Sequence, residues 1–333
     1  MKIVIENKIP FIAGIFEPYA EVAYLSPDDI TPDSVRDADA LIVRTRTRCD
    51  ESLLSGSACR IVATATIGTD HIDMAWCKAN GIAVANAPGC NAPAVAQYVY
   101  ASAASLLNGD IAGHTIGIVG VGHVGSIVAA WGEALGMRVL RCDPPRAERE
   151  NAEEFLPLSI IAEESDIITL HTPLERNGAY PTWHIADRRF FNSLRKQPVF
   201  INAARGPVTD TEALIEAISG GKVSRTAIDC WEREPNIDTR LLAMADIATP
   251  HIAGYSREGK MRATQAAVRA VASVLGLPAA ERAACAVTPA TEITIEAVKA
   301  SYRPMDDTIR LKANPDSFEA LRNGYSLRAE VTP

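Results

Sequence analysis

Thr115-Ile116-Gly117-Ile118-Val119-Gly120-Val121-Gly122-His123-Val124-Gly125 is an apolar run that opens directly into Gly-x-Gly-x-x-Gly. A second apolar run, Met137-Arg138-Val139-Leu140, follows and leads to Asp143. A strand, a glycine turn, a helix and a second strand ending in an acid make up the context that a dinucleotide fingerprint requires. Gly120 permits the tight turn, Gly122 lets backbone approach a pyrophosphate, and Gly125 lets the following helix pack against the sheet. That helix, opened by His123 and Val124, directs its N-terminal amides at the phosphates. Asp143 is placed to hold ribose hydroxyls, which favours NAD over NADP, although Arg146 and Arg149 lie close in sequence.

Working outward, further strands are predicted near 166–170, 198–202, 225–229 and 246–248, close to the strand count of a complete doubly wound Rossmann domain. The first ninety residues also alternate short apolar runs with polar or helical stretches: Lys2–Ile5, Glu21–Leu25, Ala40–Val43, Arg60–Ala65 and Ile82–Asn86. This pattern predicts a small parallel sheet covered by helices. Pro93–Leu107 is rich in alanine, without internal Gly or Pro, and predicts a helix leading into the second domain. Arg257–Leu275 predicts a helix that returns the chain to the first. Two lobes are expected: a substrate domain from 1–92 and 258–280, and an NAD-binding domain from 93–257, with ligands in the cleft between them. The tail 281–333 is too short to bury a core of its own and is expected as a small α+β segment, with Ile293-Thr294-Ile295 a strand and Phe318–Leu327 a helix.

Composition narrows the function classes. Hydrophobic content of 47% and charged content of 22% are ordinary for a soluble globular protein. A net charge of −8 argues against nucleic acid and anionic membrane surfaces as partners, so an anionic substrate must be held by local cations. No apolar stretch approaches transmembrane length, and the chain opens on a strand without a signal peptide, so a cytoplasmic setting is expected. The seven cysteines (49, 59, 77, 90, 142, 230 and 285) form no CxxC or zinc spacing. A reducing compartment and no metal are expected, with Cys90 a packed thiol.

Three charged residues close successive predicted strands: Arg205 after Val199–Ala204, Glu234 after Ala227–Arg233, and His251 after Ile247–Pro250. Carboxyl ends of strands in an open α/β sheet face the ligand crevice. An arginine can hold a planar carboxylate through two parallel charge-assisted bonds. A histidine can take a hydroxyl proton as hydride leaves the carbon. A glutamate beside it can fix the ring tautomer and stabilise imidazolium. Singly, each residue is more often a surface bridge or a satisfied hydrogen bond; all three downstream of the fingerprint point to 2-hydroxy acid oxidation.

With these segments in order, the chain resembles the D-isomer-specific 2-hydroxyacid dehydrogenase family. The resemblance rests on Gly120–Gly125, Asn202-Ala203-Ala204-Arg205-Gly206, Asp229-Cys230-Trp231-Glu232-Arg233-Glu234-Pro235 and Thr249-Pro250-His251-Ile252-Ala253-Gly254. It implies a flavodoxin-like substrate domain beside the Rossmann domain. It also implies that Arg205 binds the substrate carboxylate, that His251 is the acid/base and that Glu234 is its partner. By the same resemblance Asp229 meets the nicotinamide carboxamide, while Thr172, in His171-Thr172-Pro173, and Gly254 line the cofactor site. Ala63–His71, Ala87–Ala92, Cys142–Arg146 and Pro250–Tyr255 resemble the branch of that family acting on 4-phospho-D-erythronate in pyridoxal phosphate biosynthesis. There Thr45, Thr66 and Tyr255 are substrate contacts, and the C-terminal segment pairs two subunits into a homodimer. His123 departs from the commoner Asn or Arg, and the tail is shorter than that branch leads one to expect.

The residues themselves support a phosphorylated substrate. Arg44, Thr45, Arg46 and Arg48 gather cations and a hydroxyl at one strand end of an acidic chain, with Arg44 and Arg46 on one face if the strand continues. The alternatives are a phosphoglycerate or hydroxypyruvate/glycerate dehydrogenase, and an NAD-sensing binding protein on the same architecture.

Overall fold

Short runs rich in Val, Ile, Leu and Ala form the strands, because most strands of a parallel sheet are covered on both faces. A computed structural model of the chain describes residues 1–150, 152–278 and 293–331. They fall into two units, 1–91 with 257–278 and 92–256 with 293–331. Cys285, and residues 281–292 of the expected C-terminal segment, lie outside the described residues.

The first unit contains β1 (Lys2–Glu6), β2 (Glu21–Leu25), β3 (Ala40–Val43), β4 (Ile61–Thr64) and β5 (Ala83–Ala85). They form a parallel sheet in the order β2-β1-β3-β4-β5, the flavodoxin-like winding. Side chains alternate between two cores. Ile3, Ile5, Ile42 and Ile61 pack with Val268, Val271 and Leu275 of the helix Arg257–Leu275. Val4, Leu41, Val43 and Val62 pack with Leu53, Leu54 and Cys77.

The second unit contains β6 (Thr115–Val119), β7 (Arg138–Cys142), β8 (Ile167–Leu170), β9 (Val199–Asn202), β10 (Arg225–Ile228) and β11 (Ile247–Ala248). Their order is β11-β10-β9-β8-β6-β7, again all parallel. Chain direction across the sheet reverses on either side of β6, so β6 and β8 flank the switch point where ligands bind in such folds. Parallel strands also send Gly120, Asp143, His171, Arg205, Asp229 and His251 out at one edge. The helix Ala92–Leu106 is buried along most of its length, and its alanines let it seat closely on the sheet.

Two expectations about the tail are corrected. Ile293-Thr294-Ile295 is not a strand: the Thr294 hydroxyl accepts from the Ala297 amide at 3.2 Å and caps the helix Ile295–Ser301. A capping hydroxyl outweighs the β preference of three branched residues. Among the described residues the tail is therefore helical, not α+β, with further helices at Pro304–Ala313 and Phe318–Asn323. Its β contribution is an isolated bridge between Ser256 and Arg328.

Candidate active site

The glycine turn is shaped as its spacing requires. Gly120 has φ +88°, and a Cβ there would lie 2.8 Å from both the His171 carbonyl carbon and the Thr172 nitrogen. A Cβ on Gly125 would overlap the Gly120 carbonyl oxygen, so the helix His123–Ala134 can approach the turn only without a side chain there. At Gly122 a Cβ would meet nothing within 4 Å, leaving open space at the helix N-terminus. His123 is exposed and Val124 half-buried in the first turn. Asp143 accepts from the Val121 amide at 2.8 Å and the Arg146 amide at 3.0 Å, tying the end of β7 to the turn. Arg146 and Arg149 are engaged by Glu150, so neither is an uncommitted cation beside Asp143. Across the switch point, the Thr172 hydroxyl is buried without a hydrogen-bond partner. A pyrophosphate-bearing cofactor fits this site: it has open space at a helix N-terminus, a backbone that excludes side chains, and an unused hydroxyl.

The loops after β10 and β11 hold a histidine–glutamate pair. His251 Nδ1 and Glu234 Oε2 are 2.8 Å apart. A carboxylate can only accept, so Nδ1 carries the proton and Nε2 is left as the basic nitrogen. Glu234 Oε1 accepts from the Trp231 amide at 2.8 Å, which fixes the carboxylate plane. Burial pushes the Glu234 carboxyl up, but His251, the Trp231 amide and Arg322 together hold it below its ordinary value. His251 sits at φ +57°, a left-handed conformation that a non-glycine residue keeps only when its surroundings impose it. Asp229 imposes it. Its buried carboxylate accepts from the Thr249 hydroxyl at 2.7 Å, the Ile252 amide at 2.8 Å and the Ala253 amide at 2.9 Å, and its carbonyl accepts from the His251 amide at 2.9 Å. Burial raises the Asp229 carboxyl against the pull of His251 and these donors. Gly254 and Tyr255 complete this loop.

Arg205 leaves β9 beside this pair. Asn202 shapes the turn, donating to the Arg205 carbonyl at 3.1 Å and accepting from the Ala204 amide at 3.1 Å. A Cβ on Gly206 would overlap the Trp231 carbonyl, so the two loops meet backbone to backbone. The Arg205 guanidinium is half-buried, donates to the Ala204 carbonyl at 2.9 Å, and has no carboxylate partner among the described residues. It lies near enough to Cys230 to act on its thiol, as do Glu234 and Arg322. A half-buried, acid-free guanidinium beside a histidine base is an arrangement for an anionic substrate that loses a proton.

Comparison with known proteins agrees with this geometry. Residues 91–253 match the family model described as D-isomer specific 2-hydroxyacid dehydrogenase, NAD binding domain. The erythronate-4-phosphate dehydrogenase of Bacteroides fragilis is 48% identical, over 99% of this chain and 97% of the relative. The chain belongs to the erythronate-4-phosphate dehydrogenase branch of the D-isomer specific 2-hydroxyacid dehydrogenases. The Porphyromonas gingivalis erythronate-4-phosphate dehydrogenase is 42% identical over 98% of this chain and 92% of its own. Among solved structures, D-lactate dehydrogenase from Aquifex aeolicus, complexed with NAD and lactic acid, superposes with TM-score 0.67 at 25% identity, over 87% of this chain and all of that one. The tail that looks short for the branch thus has a counterpart in the Bacteroides relative.

Within this dehydrogenase the first-unit residues are placed as follows. β3 ends at Val43, and 45–46 form a turn, so strand alternation does not align Arg44 with Arg46. Arg44 Nε lies 3.4 Å from Glu6 Oε1, its amide donates to Glu6 Oε2 at 2.8 Å, and Nη1 donates to the Lys8 carbonyl at 3.0 Å. Glu6 is fully buried, so Arg44 serves first as its counter-ion. Arg48 is paired with Asp50 at 2.6 Å. Thr45 is exposed; the Thr66 hydroxyl is 2.7 Å from that of Thr64.

Two features had no sequence signal. One ligand atom each from Cys230, Glu234 and His251 lies within 4.8 Å of the others, a cluster no spacing announces. Burial raises the Cys230 thiol well above its ordinary value, which leaves the sulfur protonated, a poor metal ligand and a poor nucleophile. The other is Arg322, which no motif contains. No described helix is long and apolar enough to cross a membrane.

Proposed function

We propose that this enzyme oxidises 4-phospho-D-erythronate to 2-oxo-3-hydroxy-4-phosphobutanoate with NAD, in the biosynthesis of pyridoxal 5'-phosphate. The single observation that carries the reading is the Arg205 guanidinium, half-buried and without a carboxylate, beside the Glu234–His251 pair. It takes the substrate carboxylate through two parallel bonds, which orients C2. His251 Nε2 accepts the C2 hydroxyl proton as the C–H bond yields its electron pair. Glu234 stabilises the imidazolium so formed. NAD supplies the hydride acceptor; Gly120, Gly122, His123, Val124 and Gly125 hold its pyrophosphate, Asp143 its ribose, and Thr172 and Gly254 the rest. Asp229 serves by fastening the 249–253 loop.

Thr45, Thr66 and Tyr255 are read as substrate contacts, with Arg44 held between that role and its pairing with Glu6. Two copies are proposed to pair through 281–333; Met305 and Ile309, a turn apart on the helix Pro304–Ala313, are 43% and 63% exposed and supply an apolar stripe for it. A cytoplasmic setting fits such chemistry. The test is a steady-state assay with 4-phospho-D-erythronate, D-3-phosphoglycerate and D-glycerate, each with NAD and NADP, and a 2-oxoacid present to recycle retained cofactor. A kcat/KM preference for phosphoerythronate of about a hundredfold (~2.7 kcal/mol) supports the reading. Preference for another acid discards the substrate but keeps the chemistry.

A further inference from the structure

His251 keeps its left-handed backbone only while the peptide units that follow it stay fixed. One of these, between Ile252 and Ala253, is held at both ends. Its N–H, carried by Ala253, donates to the Asp229 carboxylate at 2.9 Å. Its carbonyl, carried by Ile252, accepts from Arg328 Nη1 at 3.0 Å. A flip of this peptide would aim the carbonyl at the carboxylate and the N–H at the guanidinium, so the two charges together favour one orientation. Arg328 also donates to the Ala253 carbonyl, and to that of Tyr255 at 3.3 Å. One side chain of the C-terminal segment thus gathers three carbonyls of the loop that carries His251.

The guanidinium is itself locked. Nε donates to Gln97 Oε1 at 3.0 Å and Nη2 to the Ala94 carbonyl at 3.1 Å, both on the buried helix Ala92–Leu106. Its plane lies 4.3 Å from the centre of the Tyr302 ring. Gln97 in turn donates to the Ala329 carbonyl at 3.0 Å, and the Ser256 hydroxyl donates to Glu330 at 2.6 Å, so the chain on either side of Arg328 follows the loop. The acceptors of Arg328 are neutral dipoles and none is a carboxylate. A planar fork can span a helix and three loop carbonyls at once, which the single ammonium of a lysine cannot.

We propose that Arg328 is a positioning residue for the reaction: with Asp229 it holds the 252–253 peptide from opposite ends and so fixes the backbone that aims His251 at the substrate. The proposal rests on the reading of His251 as the base that takes the C2 hydroxyl proton. The experiment compares wild type with Arg328→Met, which keeps the stem and removes the donors, and with Arg328→Lys. Steady-state rates are measured with 4-phospho-D-erythronate and NAD, NAD affinity by fluorescence titration, and the proton on His251 Nδ1 by its low-field NMR resonance, assigned by its absence in His251→Gln. Arg205 leaves a different strand, so acid and cofactor should still bind while the base is misplaced. Arg328→Met should lower kcat about thirtyfold, and leave KM for the acid and Kd for NAD within about threefold. Arg328→Lys, which keeps the charge but reaches fewer carbonyls, should recover to about fivefold below wild type. A wild-type kcat in Arg328→Met overturns the proposal. So does a KM or Kd that rises by as much as kcat falls, the mark of a site lost as a whole. If Arg328→Met does not fold, Arg328→Lys decides: a lowered kcat at unchanged NAD affinity supports the role and a wild-type kcat refutes it. A wild type inactive on phosphoerythronate refutes the substrate reading itself. The Nδ1 resonance, which needs no substrate, then decides for Arg328: broadened or displaced in Arg328→Met it supports the role, and unchanged it refutes it.

Discussion

Replacing Glu234 by glutamine tests the catalytic pair more sharply than removing it, because the amide cannot satisfy both of its neighbours. In the wild type one carboxylate oxygen accepts from His251 Nδ1 and the other from the Trp231 amide, each at 2.8 Å. Glutamine offers one acceptor and one donor. If its oxygen stays on the Trp231 amide, its NH2 faces Nδ1, the ring moves its proton to Nε2, and the base is lost. If its oxygen turns to Nδ1, its NH2 opposes the Trp231 N–H and a buried donor goes unpaired, at about 1–3 kcal/mol. Either arrangement also removes a charge-assisted bond that contributes about 1.5–3 kcal/mol once imidazolium forms. The sum, about 2.5–6 kcal/mol, corresponds to a loss of roughly two to four decades in kcat/KM. The assay is NADH formation from 4-phospho-D-erythronate at saturating NAD, with NAD affinity titrated separately and expected unchanged. A Glu234→Gln enzyme within about tenfold of wild type would refute both the tautomer assignment and the role of the pair.

Three further outcomes are expected. Gly125→Ala should lose measurable NAD binding in a fluorescence titration while remaining folded by circular dichroism, because its methyl overlaps the Gly120 carbonyl; retained affinity contradicts the cradle. Desolvation lowers the His171 imidazole to about 3 from 6.5, so the unfolded chain takes up this proton first and stability falls as pH drops through that interval. Urea unfolding at about pH 5 and pH 7.5 should show a smaller acid loss in His171→Gln than in wild type, and equal losses refute the assignment. Arg44→Ala should lower Tm by stranding buried Glu6, at about 3 kcal/mol. Adding Glu6→Gln should restore Tm; if Arg44 also meets the phosphate, the double variant keeps a raised KM for phosphoerythronate but not for erythronate, and equal KM changes on both acids remove it from the phosphate site.

The strands were legible because each is a short, mainly apolar run, with charge mostly at its ends, bounded by glycine or polar turns, and in parallel sheets such runs have little else to become. Arg205, Glu234 and His251 were legible for the related reason that strand ends converge on one edge. The tail was not. Ile293-Thr294-Ile295 carries a local β preference, but its threonine serves as a helix cap, a distinction made by residues 295–298 and not by the triplet itself. Arg44 looked uncommitted because its partner, Glu6, closes a strand 38 positions earlier and is brought alongside by the β1–β3 register. Arg322 lacks any local signature, since its neighbours Tyr255 and Glu234 come from distant loops. Asp229 illustrates a subtler limit: that its oxygens hold the loop carrying His251 depends on partners some twenty positions away, which no local pattern announces.

The backbone contact at Gly206 has a bearing on how such an enzyme can diversify. Because the arginine loop and the Trp231–Glu234 loop touch with no side chain between them, the spacing of the two backbones that carry Arg205 and Glu234 is set by main chain. Repacking of neighbouring side chains cannot widen that backbone spacing, and almost any substitution at Gly206 breaks it. With the two loops held at one spacing, variation in substrate is easiest in whatever extends beyond C2. Selection, or an engineer seeking a new substrate, has freedom at the far end of the molecule and almost none at the reacting one.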